Sequence, residues 1–132
     1  MRSRPAAVVH RHAWLIDPLL EDSTLLIRPM FGGKAVYFRG KFVLFLADRD
    51  EPWRGVLLPT ERAQQASLIA DCASLAPHAI LPKWLYLPES VDSFETDAQW
   101  LVAQIRQDDD RIGIIPPSKR SRQTRPSAAK KK

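Results

Sequence analysis

A chain of 132 residues is one domain's worth of sequence and is long enough to bury a core. Hydrophobic residues make up 45% and charged residues 27%, and no run approaches the roughly 18 apolar residues of a membrane-spanning helix, so a soluble globular protein without a membrane partner is expected. The single cysteine, Cys72, excludes an internal disulfide and a cysteine-rich zinc site and fits a reducing, cytoplasmic location.

The net charge of +5 is unevenly placed. Residues 118–132 hold Lys119, Arg120, Arg122, Arg125, Lys130, Lys131 and Lys132 and no acid; removing these seven cations leaves the rest of the chain at −2. Residues 116–132 therefore read as a disordered basic tail behind Pro116-Pro117, able to tether nucleic acid or an anionic surface through counterion release, or simply to solubilise. At the other end, His10, Arg11, His12 and Asp17 interrupt any signal-peptide core, and residues 1–11 read as a flexible arm.

Residues 12–115 form the predicted domain. Ala13 to Ile16 with Leu19 and Leu20 give a short helix ending near Glu21, with Pro18 in a turn or at a break. Thr24 to Met30 reads as a strand in which Pro29 suits an edge or a strand end. Phe31-Gly32-Gly33 reads as a flexible entry loop, the glycines there for a turn with positive φ. Ala35 to Phe38 and Lys41 to Leu46 follow as a hairpin turning at Gly40, then a polar loop over 48–52 and a further strand from Arg54 to Leu58.

Thr60 to about Ser74 is the first candidate packing helix, capped by Thr60 and presenting Ala63, Ala66, Ile69, Ala70, Cys72 and Ala73. Leu81 to Leu87, bounded by prolines, reads as an edge strand or extended segment. Asp92-Ser93-Phe94-Glu95 follows capping-box logic and opens a helix with Phe94, Ala98, Leu101, Val102 and Ile105 on one face, ending at Arg106 or Gln107. The fold class is α+β: one antiparallel meander of about four to five strands packed by helices.

Reactive groups are sparse. An i, i+2 pair such as His10 and His12 diverges on a helix and has no cysteine or carboxylate partner in sequence, so a solvated segment is expected rather than a metal site. The acidic runs 48–51 and 108–110 lack the glycine and terminal glutamate of a calcium loop and read as solvated turns. Cys72 in an alanine-rich stretch reads as a small buried hydrophobe. No catalytic residue, cofactor or metal ligand is assigned.

The segment Arg28-Pro29-Met30-Phe31-Gly32-Gly33-Lys34-Ala35-Val36-Tyr37-Phe38, with Gly40-Lys41-Phe42 behind it, resembles the TfoX N-terminal domain family. Lys83-Trp84-Leu85-Tyr86-Leu87 and the capped helix after it resemble the related MmcQ/YjbR-like proteins. The resemblance implies a YjbR/TfoX-N-like α+β domain of a soluble bacterial protein, associated with regulation and with DNA or protein binding, and without catalytic residues to carry over.

The expected function is a non-enzymatic accessory or regulatory binding module. A nucleic-acid contact would use Arg28, Lys34, Arg39 and Lys41 on the hairpin and Lys119, Arg120, Arg122 and Arg125 in the tail. The alternative is a protein-interaction domain presenting Trp53 from a polar loop and Trp84 from an edge segment open to strand addition.

Overall fold

A computed structural model describes residues 11–116. Nearly all of the expected arm and tail, including Lys119, Arg120, Arg122 and Arg125, falls outside the described residues. Arg11 falls inside them, its guanidinium 3.3 Å from both Asp48 and Glu89.

The first four strands, β1 (Leu26–Met30), β2 (Gly33–Phe38), β3 (Lys41–Asp48) and β4 (Arg54–Pro59), form the expected meander. Two more, β5 (Ala76–Pro77) and β6 (Trp84–Pro88), complete an antiparallel sheet of six strands in the order β1-β2-β3-β4-β6-β5. The segment expected at an edge is therefore second from it. Residues Ala76 and Pro77 dock on Tyr86 and Leu85 and cover the outer side of β6. An Ala-Pro pair carries no strand signal of its own, so only the tertiary pairing reveals it.

Register divides the sheet into two faces. The pairs Val36↔Leu44 and Tyr37↔Phe42 leave Val43 as the extra residue of a bulge, which turns Val43 and Leu44 to the same side. That side carries Ile27, Val36, Phe38, Leu46, Val56, Leu58, Leu85 and Leu87 and is covered by the helices. A 3-10 helix over Ala13–Leu19 buries Leu15, Ile16 and Leu19 against it and against α2 (Phe94–Arg106). Phe94, Ala98, Leu101, Val102 and Ile105 are the buried residues of α2, as the 3.6-residue period predicts, and each such large aliphatic adds about 2 kcal/mol by burial.

The other packing helix differs from expectation. A 3-10 turn over Arg62–Gln64 leads into α1 (Gln65–Asp71), and the residues facing inward are Gln65, Leu68, Cys72 and Leu75. Ala63, Ala66, Ala70 and Ala73 point to solvent, and Ile69 is half-buried. Leucine burial outweighs alanine helix propensity in setting the rotation of so short a helix. Thr60 caps nothing; its hydroxyl donates to the Arg111 carbonyl at 2.6 Å, pinning the chain after α2 against the end of β4. Cys72 is buried as expected, and that burial pushes its thiol above the usual range.

Candidate interaction surface

No helix residue among those described contributes to the second cluster, which holds Ala35, Phe42, Phe45, Ala47, Leu57, Trp84 and Tyr86. Loops cover it instead. His78 is the clamp: its Nδ1 accepts the N–H groups of Ile80 and Leu81 at 3.1 and 3.0 Å, which leaves Nε2 to donate to the Pro52 carbonyl at 2.6 Å. The ring also lies between Trp53 and Tyr86, with centroids 4.4 and 5.1 Å away. Tyr86 accepts the Arg54 N–H and donates to Glu51, both at 2.7 Å, and its phenol sits well above the usual range through burial and then through that donation to a carboxylate.

Of the two expected partner-binding tryptophans, Trp84 is buried and Trp53 is partly covered. Trp53 is half-buried under His78, and Trp84 is 8% exposed with its ring edge-on to Phe42. A polar loop sequence says nothing about a histidine 25 positions later that holds the loop down.

The basic residues expected to form one patch also separate. Arg28 pairs with Ala35, whose neighbour Lys34 pairs with Leu46, so Arg28 and Lys34 project from opposite faces of the sheet. Arg39 is engaged, with Nε 3.0 Å from Asp22 and Nη1 2.7 Å from Asp108, and its guanidinium lies over the Phe38 ring. Lys41 lies beside Gly113. Acidic runs read as solvated turns are in fact anchors: Asp48 pairs with Arg11, Asp108 with Arg39, and Asp109 with Arg111 at 2.7 Å. His12, expected in a solvated segment, is buried 3.1 Å from Glu89 and packs against Phe94; its pKa is lowered, chiefly by desolvation.

What the hairpin does present is Phe31. The segment Phe31-Gly32 is a tight turn rather than a flexible loop, with φ of +50° and +78°; positive φ at both central residues is the mark of a type I′ hairpin. The second glycine serves another purpose. Gly33 lies in β2, where a Cβ would collide with the Leu46 carbonyl and the Phe45 ring. Asn, Asp or Gly is the usual occupant of position 31 in such a turn, and a bulky residue in the left-handed region costs about 1 kcal/mol or more. Phe31 is nevertheless 72% exposed, and among the described residues its one ring contact is edge-on to Phe45 at 6.4 Å.

Leu26, Arg28 and Met30 alternate onto the helix-free face beside it, Leu26 being 45% exposed and Arg28 open to solvent. The Arg49 guanidinium lies over Gly32, where any Cβ would collide with it. The sequence signal was a phenylalanine in the slot of a two-residue turn, masked by the glycine pair after it.

Strand addition is poorly served at either edge. Met30 and Gly33 flank a two-residue turn and face each other as a hydrogen-bonded pair, so β1 directs the N–H groups of residues 26, 28 and 30 toward β2. Positions 27 and 29 face outward, and Pro29 has no N–H to offer. The opposite edge is the two-residue β5, which itself contains Pro77.

Other sites of chemistry are scarce among the described residues. No three of His, Cys, Asp and Glu gather as a metal-ligand set, and no helix is long and apolar enough to cross a membrane. A groove lined by Pro18, by Gln99, Ala103 and Arg106 of α2 and by Gln107 just after it gathers no second ionisable group beside Arg106. No family model matches the chain, and no curated protein or solved structure matches it.

Proposed function

We propose that this chain is a non-enzymatic accessory binding module of the TfoX N-terminal kind whose working surface is the β1–β2 turn and the helix-free sheet face next to it. The observation that carries the reading is Phe31, a large apolar side chain held 72% exposed at a backbone conformation that phenylalanine disfavours. Strain of that kind persists where it serves something other than stability. An exposed aromatic on a rigid hairpin is a low-entropy anchor for a protein partner, since its backbone is already fixed by the sheet.

A photo-crosslinking amino acid placed at position 31 tests this in cells that express the full chain. A discrete adduct from position 31, absent when the same group replaces exposed Glu95 on α2, is the expected result. Equal adducts from both positions, or none from either, would remove the surface from the function.

A nucleic-acid role is the second reading, and it now leans on the charge of residues 118–132 rather than on the hairpin, because Arg39 is ion-paired and Arg28 and Lys34 face apart. Double-stranded DNA binding with steep salt dependence, lost on truncation after residue 117, is the expected signature. Binding that survives truncation would return the contact to the folded domain.

A further inference from the structure

We propose that the surface of Leu26, Arg28, Met30, Phe31 and Arg49 docks an acidic peptide segment carrying apolar side chains, a step that rests on the binding-module reading above. Two kinds of chemistry meet there. Leu26 and Phe31 are exposed and Met30 is half-buried, so removing them from water favours an apolar partner. Arg28 and Arg49 flank them as exposed guanidiniums with no carboxylate partner among the described residues.

Four other arginines are ion-paired, while Arg62 and Arg106 in the helices are exposed like Arg28 and Arg49. Arg11, Arg39, Arg54 and Arg111 each lie within 3.3 Å of at least one carboxylate and are committed to holding the fold. Arg28 and Arg49 keep all their donors for an incoming carboxylate, which a guanidinium can grip in a planar, two-pronged fashion. Both sit at the periphery of an apolar centre, the arrangement of a polar rim around a buried anchor.

An acidic peptide fits better than a nucleic acid. Two guanidiniums neutralise too few phosphates to hold a nucleic acid at physiological salt. The face also lacks the row of open aromatic rings on which successive bases would stack, since Phe42, Phe45, Trp84 and Tyr86 are buried. An extended strand pairing at β1 is disfavoured by Pro29, so the partner lies across side chains rather than along the backbone edge.

The test uses the full chain and a fluorescently labelled peptide that mixes Glu with Leu and Phe, read by anisotropy. Its controls are the same peptide with Lys for Glu, a poly-Glu peptide, and a single-stranded DNA oligonucleotide. The expected result is preference for the Glu-containing mixed peptide, weakened about tenfold or more both by Phe31→Asn and by the double change Arg28→Glu with Arg49→Glu. The basic tail is intact in every variant, so its attraction for acids is constant across the series.

Equal binding by all variants would assign the acidic affinity to the tail and overturn the proposal, as would preference for the Lys peptide or the DNA. Loss with Phe31→Asn but not with the double reversal would overturn the acidic chemistry while leaving the binding-module reading standing. Absence of binding by any peptide would overturn it too. Each variant alters an exposed side chain, and circular dichroism confirms folding before binding is read.

Discussion

The first two of the meander's three hairpins turn on the same backbone geometry and use it for opposite ends. Phe31-Gly32 and Arg39-Gly40 each place a non-glycine residue and then a glycine at positive φ, +50° and +78° in one, +53° and +84° in the other. At the second turn the strained residue is anchored. Arg39 bridges Asp22, in the turn before β1, to Asp108, just past the end of α2, and its amide donates to Thr24 at 2.8 Å. Asp22 is held below the usual carboxylate range, first by the Thr24 hydroxyl and amide and then by Arg39. At the first turn the strained residue faces water with one weak ring contact. Like geometry with unlike partners separates a residue that closes the fold from one that the fold displays.

The largest perturbation would remove what the first turn stands on. Phe45, 1% exposed, packs under Phe31 and beside Gly33 in the middle of the sheet, so Phe45→Ala is expected to cost about 3–5 kcal/mol in denaturant unfolding. A loss below about 1 kcal/mol would mean that the helix-free face is not a packed core and that Phe31 has no firm support beneath it.

At the second turn, Arg39→Asn keeps a residue suited to positive φ while deleting both ion pairs. A lower melting temperature is expected, and the loss should shrink in the Asp108→Asn background because one shared contact is already gone. Additive losses would show that the bridge does not link the hairpin to the end of α2.

A further test separates the anchoring carboxylates from the display surface by pH. Asp109 is mostly buried and held below the usual aspartate range, first by hydrogen bonds from Arg111. A folded-state pKa lowered below the unfolded value means that the unfolded chain binds the proton more tightly. The stability it supplies is therefore present above the usual aspartate range and is lost as pH falls through that range and below it. Acid unfolding of Asp109→Asn should begin from lower stability and show a shallower fall with pH. An unchanged acid limb would mean that other carboxylates carry the acid sensitivity.

Much of the scaffold was legible because periodicity reports burial. The apolar stripe of α2 and the apolar runs of β2, β3 and β4 follow directly from where Leu101, Ile105, Val36 and Phe45 must go. Elements that depend on a distant partner were not legible. Ala76–Pro77 becomes a strand only by pairing with Tyr86 and Leu85, and α1 rotates to bury Leu68 rather than its alanines. The site was harder still. Trp53 looked exposed until His78 covered it, four arginines proved to be structural, and Phe31 looked like part of a glycine loop until its turn type placed it in solvent. Polar residues at turns are ambiguous in sequence because anchoring and display demand the same side chains.

If Phe31 is kept for contact and not for stability, as we propose, thermal unfolding of Phe31→Asn beside Arg39→Asn will show it. Asparagine suits the left-handed position, so the change relieves about 1 kcal/mol of backbone strain and gives up only an exposed edge contact. An equal or higher melting temperature is expected for Phe31→Asn and a lower one for Arg39→Asn. A fall for Phe31→Asn as large as that for Arg39→Asn would make Phe31 a structural residue and remove it from the contact surface.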